Sequence, residues 1–145
     1  MRSIFPLIMF GMMMIGCAGG APSGQHARSS DPKMTLNKTW QWVSTITPVE
    51  KITVPAPERY TIRLSDNGRL QAQFDCNRGG GDYKISEGKL SFGPLISTRM
   101  ACPPDSLDNK FMKDLQRVSS FFLHDGNLFL ELPMDSGTMK FRTVP

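Results

Sequence analysis

From residue 59 onward, apolar and polar residues alternate with a period of two, as strands with one buried face require. Tyr60, Ile62 and Leu64 interleave with Arg59, Thr61, Arg63 and Ser65. Beyond Asp66-Asn67-Gly68, Leu70, Ala72, Phe74 and Cys76 interleave with Arg69, Gln71, Gln73 and Asp75. Two such runs across an Asn-Gly predict a β-hairpin, and the phase of the second sets Cys76 on the inward face. Tyr83 and Ile85, a turn at Glu87-Gly88, then Leu90 and Phe92 predict a second, shorter hairpin. Between Pro104 and Ser119 the period changes. Leu107, Phe111, Leu115 and Val118 recur every three or four residues, so this segment predicts an amphipathic helix. Asp105 is placed to cap it, and Asp108 suits the positive end of its dipole. Strands resume at Phe121–Leu123, turn at Asp125-Gly126 and continue through Leu128–Leu132; after Pro133 to Gly137 a last strand, Thr138–Arg142, turns Met139 and Phe141 inward. Upstream, Trp40-Gln41-Trp42 opens the first strand, with one Trp expected in the core and the other at the surface or rim. Thr47 to Pro57, interrupted by Pro48, Pro55 and Pro57, reads as a loop or an edge. About seven short strands around one helix suggest an antiparallel sheet curved into a small barrel, or nearly so, which hides its edges.

The first residues follow a different pattern. Arg2 precedes an unbroken apolar run from Ile4 to Ile15, rich in Met. That run is too short for a permanent membrane span, which needs about 20 residues, and it fits the apolar core of a secretory signal. It ends at Met14-Ile15-Gly16-Cys17, which resembles a bacterial lipobox, although Met14 stands where Leu is usual. The expectation is a signal peptide over 1–16 and a lipidated Cys17. Several acyl chains on one residue anchor stably, where one binds only marginally. Ala18 in place of Asp points to the outer membrane, with the domain facing the periplasm. Ordinary secretion with cleavage near Ala18 or Ala21 is the competing reading. Residues 17–34 read as a lipidated start and a solvated tether, and 35–145 as the folded domain.

About 110 residues then remain, enough for one core but not two. The 145-residue chain carries 17 Lys and Arg against 13 Asp and Glu, a formal +4 that falls by one with the loss of Arg2. The charges alternate instead of clustering, so nucleic acid is not an expected partner. With Cys17 spent on lipid, Cys76 and Cys102 remain. In an oxidising envelope an even pair in a small domain reads as a disulfide, and closing a loop of about 27 residues is worth roughly 3.5 kcal/mol. A metal or redox pair is the rival reading. Against it, there is no CxxC, and the only histidines are His26 in the tether and His124 beside a turn. No metal and no cofactor is expected.

At the two cysteines the chain resembles a known family. Cys76-Asn77-Arg78-Gly79-Gly80-Gly81-Asp82-Tyr83 is similar to the C-N-x-x-x-G-x-Y segment of the META domain, the HslJ-like family of bacterial envelope lipoproteins. Ser97-Thr98-Arg99-Met100-Ala101-Cys102 resembles that family's S-T-R-M-A-C segment. The similarity extends to Trp40, to Phe111 and Leu115, to Leu128-Leu130 and to Phe141, and covers roughly residues 36 to 143. Asp75 departs from the Gly usual before Cys-Asn, and Gly79 stands where an aromatic is common. The resemblance implies a mainly β fold, a lipocalin-like antiparallel barrel with one packed α-helix. It also implies a role in envelope stress and antibiotic tolerance, and it brings no catalytic residues.

The remaining polar residues each have a structural and a functional reading. Gly79-Gly80-Gly81 can form an anion nest, but no helix follows, and a structural turn is the expected use. Asn77 and Arg78 are either recognition residues or, for Asn77, a side chain bonded to local backbone. Arg99 can bind a carboxylate bidentately or pair with Asp75 or Asp82; pairing is the expectation. Asp75 and Asp82 as an acid/base couple would need a shared cleft, which nothing in the sequence suggests. Asn77, Arg78 and Arg99 together form the candidate binding rim. The expected function is a non-enzymatic envelope lipoprotein that supports envelope integrity or stress tolerance by binding an envelope protein or a small ligand. The alternatives are a lipocalin-like carrier of a small apolar ligand and a protein-binding inhibitor of an envelope-active enzyme. A barrel interior filled by Phe74, Phe92, Phe111 and Phe141 would leave the carrier little room.

Overall fold

The hairpin at Asn67-Gly68 forms as the alternation requires. β3 (Tyr60–Leu64) and β4 (Arg69–Phe74) run antiparallel with Leu64 opposite Leu70, and Gly68 takes the left-handed φ of +81° that the turn needs. A computed structural model describes residues 27–144; the expected signal peptide and Cys17 lie outside them. Before the hairpin come β1 (Thr39–Ile46) and β2 (Lys51–Thr53). After it follow β5 (Asn77–Ser86), β6 (Lys89–Phe92), β7 (Ile96–Ser97), α1 (Asp108–Gln116), β8 (Ser120–His124), β9 (Asn127–Glu131) and β10 (Thr138–Thr143).

Eight of these strands close a ring in the order β1-β3-β4-β5-β6-β8-β9-β10, with β10 pairing back onto β1 from Trp40↔Thr143 to Ile46↔Thr138. The fold is a closed antiparallel barrel with one helix. β2 lies outside the ring on the end of β1, which is the edge role the prolines of this region permit. β7 lies outside it on β5. No described helix is long and apolar enough to cross a membrane.

Both tryptophans are buried, which corrects the expected division into core and rim. Residues two apart share a strand face, so Trp40 and Trp42 both point inward. Each indole N–H finds a partner: Trp40 Nε1 donates to Thr35 O at 3.0 Å, and Trp42 Nε1 to Ser44 O at 3.1 Å and Thr45 Oγ1 at 3.0 Å. The helix is shorter than its periodicity suggests. Leu107 N–H is taken at 2.9 Å by the Tyr60 hydroxyl, so the first helical residue is Asp108, and Ser106 Oγ accepts from Asp108 N at 3.2 Å. Asp105 is exposed and does not cap it.

Phe111 is the helix's contribution to the core. Its fully buried ring stacks on Trp42 at 4.9 Å and meets Tyr60, Phe74 and Phe141 at 5.8, 5.7 and 6.1 Å. Those partners lie on β1, β3, β4 and β10, so α1 stoppers the end of the barrel where β4 passes into β5. The opposite end is covered by residues 29–38. Ser29 bridges Leu123, Arg28 lies 4.4 Å from the Phe122 ring, Asn37 N bonds Leu64 O at 2.7 Å, and Thr35 is buried. Part of the stretch read as tether is therefore packed on the barrel.

At that covered end the Tyr83 hydroxyl donates to Ser65 O at 2.5 Å. Burial, and secondarily the Asp66 carboxylate, pushes its pKa above the ordinary tyrosine value. A raised folded-state pKa means stability is intact below about pH 10 and is lost as pH climbs above it. In base titrations of unfolding, Tyr83→Phe should flatten that loss. Phe111→Ala should lower stability by about 3–5 kcal/mol in urea unfolding, because the vacated space is walled by rigid rings.

Candidate functional site

β4 ends at Phe74 and not at Cys76. Asp75, with φ of +59°, and Cys76 form a two-residue turn, and β5 starts at Asn77 opposite Phe74. The turn breaks the alternation, so Cys76 is half-buried at the rim instead of inward, while Asp75 and Asn77 are both buried. Tolerance of left-handed φ by Asp permits this departure from the family's Gly.

A buried carboxylate requires charge and hydrogen-bond partners. The Arg59 guanidinium pairs with Asp75, and the Tyr60 hydroxyl donates to Asp75 Oδ2 at 3.4 Å. Asp82 is exposed and pairs with Arg69 at 2.6 Å. Neither carboxylate pairs with Arg99, which overturns that expectation: the strand register seats each beside a basic residue already. Asp75 and Asp82 also share no cleft.

Cys76 and Cys102 are joined by a disulfide with Cα atoms 5.5 Å apart. Beside it, Asn77 holds the segment before Cys102 with both ends of its carboxamide. Oδ1 accepts from Met100 N at 2.7 Å and Thr98 Oγ1 at 2.9 Å. Nδ2 donates to Met100 O at 3.1 Å and to Cys102 Sγ at 3.3 Å. These bonds are not to local backbone, the expectation for Asn77, but reach residues 21 to 25 positions away. Arg78 adds N–H to Thr98 Oγ1 at 3.1 Å and accepts Thr98 N–H at 3.0 Å, leaving its side chain exposed.

The glycines form no turn. Gly79-Gly80-Gly81 lie inside β5, where Gly79 faces Ser97 and Gly80 faces Ile96. A Cβ on Gly79 would strike the Ile96 carbonyl, one on Gly80 the Leu70 carbonyl, and one on Gly81 would lie 2.7 Å from Pro94 O. Gly79 and Gly81 admit the backbone of residues 94–96, and Gly80 admits that of β4, so the run lets the segments on both sides approach β5 closely.

Between Leu95–Ala101 and α1 lies a solvent-open cleft of about 660 Å³, lined among others by Asn77, Leu95, Thr98, Arg99, Asp108 and Met112. The structure thus brings Asn77, the disulfide and Arg99 to one rim. Asn77 is a buried fastener there, and Arg78 and Arg99 are exposed cations without an ion pair among the described residues. Asp108 and Met112, missed by the sequence reading, come from the helix face that Phe111 orients. Among the described residues no group of three His, Cys, Asp or Glu is placed to hold a metal. His124, 3.3 Å from Asp125, sits at the opposite end of the barrel.

A closed eight-stranded barrel, one helix inserted at its end and a disulfide-held loop beside that helix define the class. The chain belongs to the META domain family, whose model matches residues 33–143. Solved structures share the fold. An NMR structure of a protein from Burkholderia xenovorans is 23% identical with a TM-score of 0.65, covering 86% of this chain and 97% of its own. A second NMR structure is 22% identical with a TM-score of 0.57, over 77% and 93%. A DUF4847 family protein from Bacteroides vulgatus is 14% identical with a TM-score of 0.55, over 76% and 94%. No curated protein sequence matches the chain.

Asn77→Ala should cost about 1–3 kcal/mol, since Met100 N–H and C=O lose their partner together, and Met100 amide exchange should accelerate. Cys76→Ala should cost roughly 2–5 kcal/mol. Thiol labelling of the unreduced, denatured wild-type domain should find Cys76 and Cys102 both blocked.

Proposed function

We propose that this protein is a lipid-anchored, non-enzymatic component of the bacterial envelope that supports envelope integrity or stress tolerance by binding at the disulfide end of its barrel. The observation that carries this reading is the loop Leu95–Ala101. Ile96 is 78% exposed and Met100 60%, with Arg99 between them, on a loop held by a disulfide and the Asn77 carboxamide. Exposed apolar side chains grouped beside a cleft, on a loop held in place, support a recognition surface. The carrier alternative is disfavoured, because Trp40, Trp42, Phe74, Phe111, Phe121 and Phe141 are fully buried and fill the barrel. Inhibition of an envelope-active enzyme is one form that binding at this rim could take.

Anchoring is a separate part of the proposal. Cys17→Ala should remove the acyl mass and release the protein from the membrane fraction; unchanged association would refute the lipid anchor. For the binding role, a deletion strain should be sensitised to envelope-active compounds. The wild-type gene should restore tolerance and an Arg78→Glu/Arg99→Glu variant of normal abundance should not. Full rescue by that variant would place the function elsewhere on the molecule.

A further inference from the structure

β6 and β7 are successive antiparallel partners of the same side of β5: β6 from Tyr83↔Phe92 to Ser86↔Lys89, then β7 at Gly80↔Ile96 and Gly79↔Ser97. β6 has β8 on its far side, through Lys89↔Ser120. Among the described residues β7 has no strand on its far side; there lies the cleft and, across it, Asp108, Asn109 and Met112 of α1. Antiparallel ladders turn alternate residues toward the partner strand. Thr98 N–H bonds Arg78 O, and Met100 N–H and C=O bond the Asn77 carboxamide, which acts as a short extension of β5. Residues 96, 98 and 100 therefore face β5, and the backbone N–H and C=O groups of Leu95, Ser97 and Arg99 face the cleft. An open, rigid edge of this kind is a template for another strand.

We infer that the cleft accepts an extended acidic segment of another polypeptide, which adds to β7 as a further strand. Strand addition draws affinity from main-chain hydrogen bonds and specificity from flanking side chains. Here Arg99, exposed at the cleft and without an ion pair among the described residues, selects a carboxylate on the incoming segment, with Arg78 exposed nearby on β5, while Leu95 and Met112 offer apolar contact. The inference rests on the binding function proposed above and specifies the partner's chemistry and its mode of attachment.

The probe is a displayed library of random linear peptides, selected on the full-length lipidated protein in detergent micelles. Enriched peptides should carry Asp or Glu, and Ser97→Pro, which deletes one cleft-facing N–H, should weaken them roughly tenfold, about the worth of a hydrogen bond. Ser97→Ala should bind as wild type, and Arg99→Ala should weaken binding and flatten its salt dependence. Should Ser97→Pro fold poorly, slowed exchange of the wild-type Ser97 amide on peptide addition serves the same purpose. Failure to enrich acidic peptides, binding indifferent to Ser97→Pro, or a dimer of this chain occupying the edge would each overturn the inference. If strand addition fails while the Arg78→Glu/Arg99→Glu strain still loses tolerance, the binding role stands and only the strand mode is wrong.

Discussion

The chain reverses at Asp75–Cys76, and the buried carboxylate of Asp75 is the constraint around which that end of the barrel is arranged. A charge out of water must be matched or its burial is prohibitively unfavourable. Arg59 and Tyr60 match it, and both sit where β3 begins, beside the end of β4. The Tyr60 hydroxyl, having donated to Asp75, accepts Leu107 N–H and so fixes where α1 starts. The start of α1 in turn decides that Phe111 stacks on Trp42. One turn residue therefore links an ion pair, a helix terminus and the aromatic core.

Closure gives the barrel its second property. Because β10 returns to β1, the ring itself has no free edge, and its inward side chains must fill the interior. Aromatic rings from four strands and the helix do so. A domain filled in this way presents its polar and charged chemistry on the outside. Outside the ring, β7 pairs with β5 beyond the end of β6 and has no further strand partner among the described residues. Gly79, Gly81, the disulfide and Asn77 all act to hold this segment there, and exposed apolar side chains, Arg99 and outward-facing backbone coincide at it.

Much of this was legible in the sequence, for definite reasons. Asn67-Gly68 and Asp125-Gly126 mark turns because few residues adopt positive φ, and period-two runs on each side fix the strand faces. The helix was legible from Phe111 and Leu115. Its start was not, because the competing acceptor, Tyr60 Oη, comes from 47 residues away. The same blindness to tertiary partners hid the true use of the glycines: they resemble a turn, but what they admit are the carbonyls of Ile96, Leu70 and Pro94. Alternation through Cys76 was misleading because Asp75 breaks the phase in a conformation that Asp tolerates without advertising it. Pairing of Asp75 and Asp82 with Arg99 failed because strand register had already supplied Arg59 and Arg69. The Cys76–Cys102 bond was legible from cysteine parity, and chain order then sets Asn77, Arg78 and Arg99 close to it.

Leu95–Ala101, which includes β7, is fastened on one side and open on the other. Residue-resolved amide exchange on the free full-length protein tests it most directly, because alternate residues of one short loop must behave oppositely. Thr98 and Met100, whose N–H groups bond Arg78 O and Asn77 Oδ1, should be protected, while Ser97 between β5 and the cleft should exchange at close to the free-peptide rate. Reduction of the disulfide should erase the difference. Uniformly fast exchange across the loop, or a Ser97 amide as protected as its neighbours, would contradict the account.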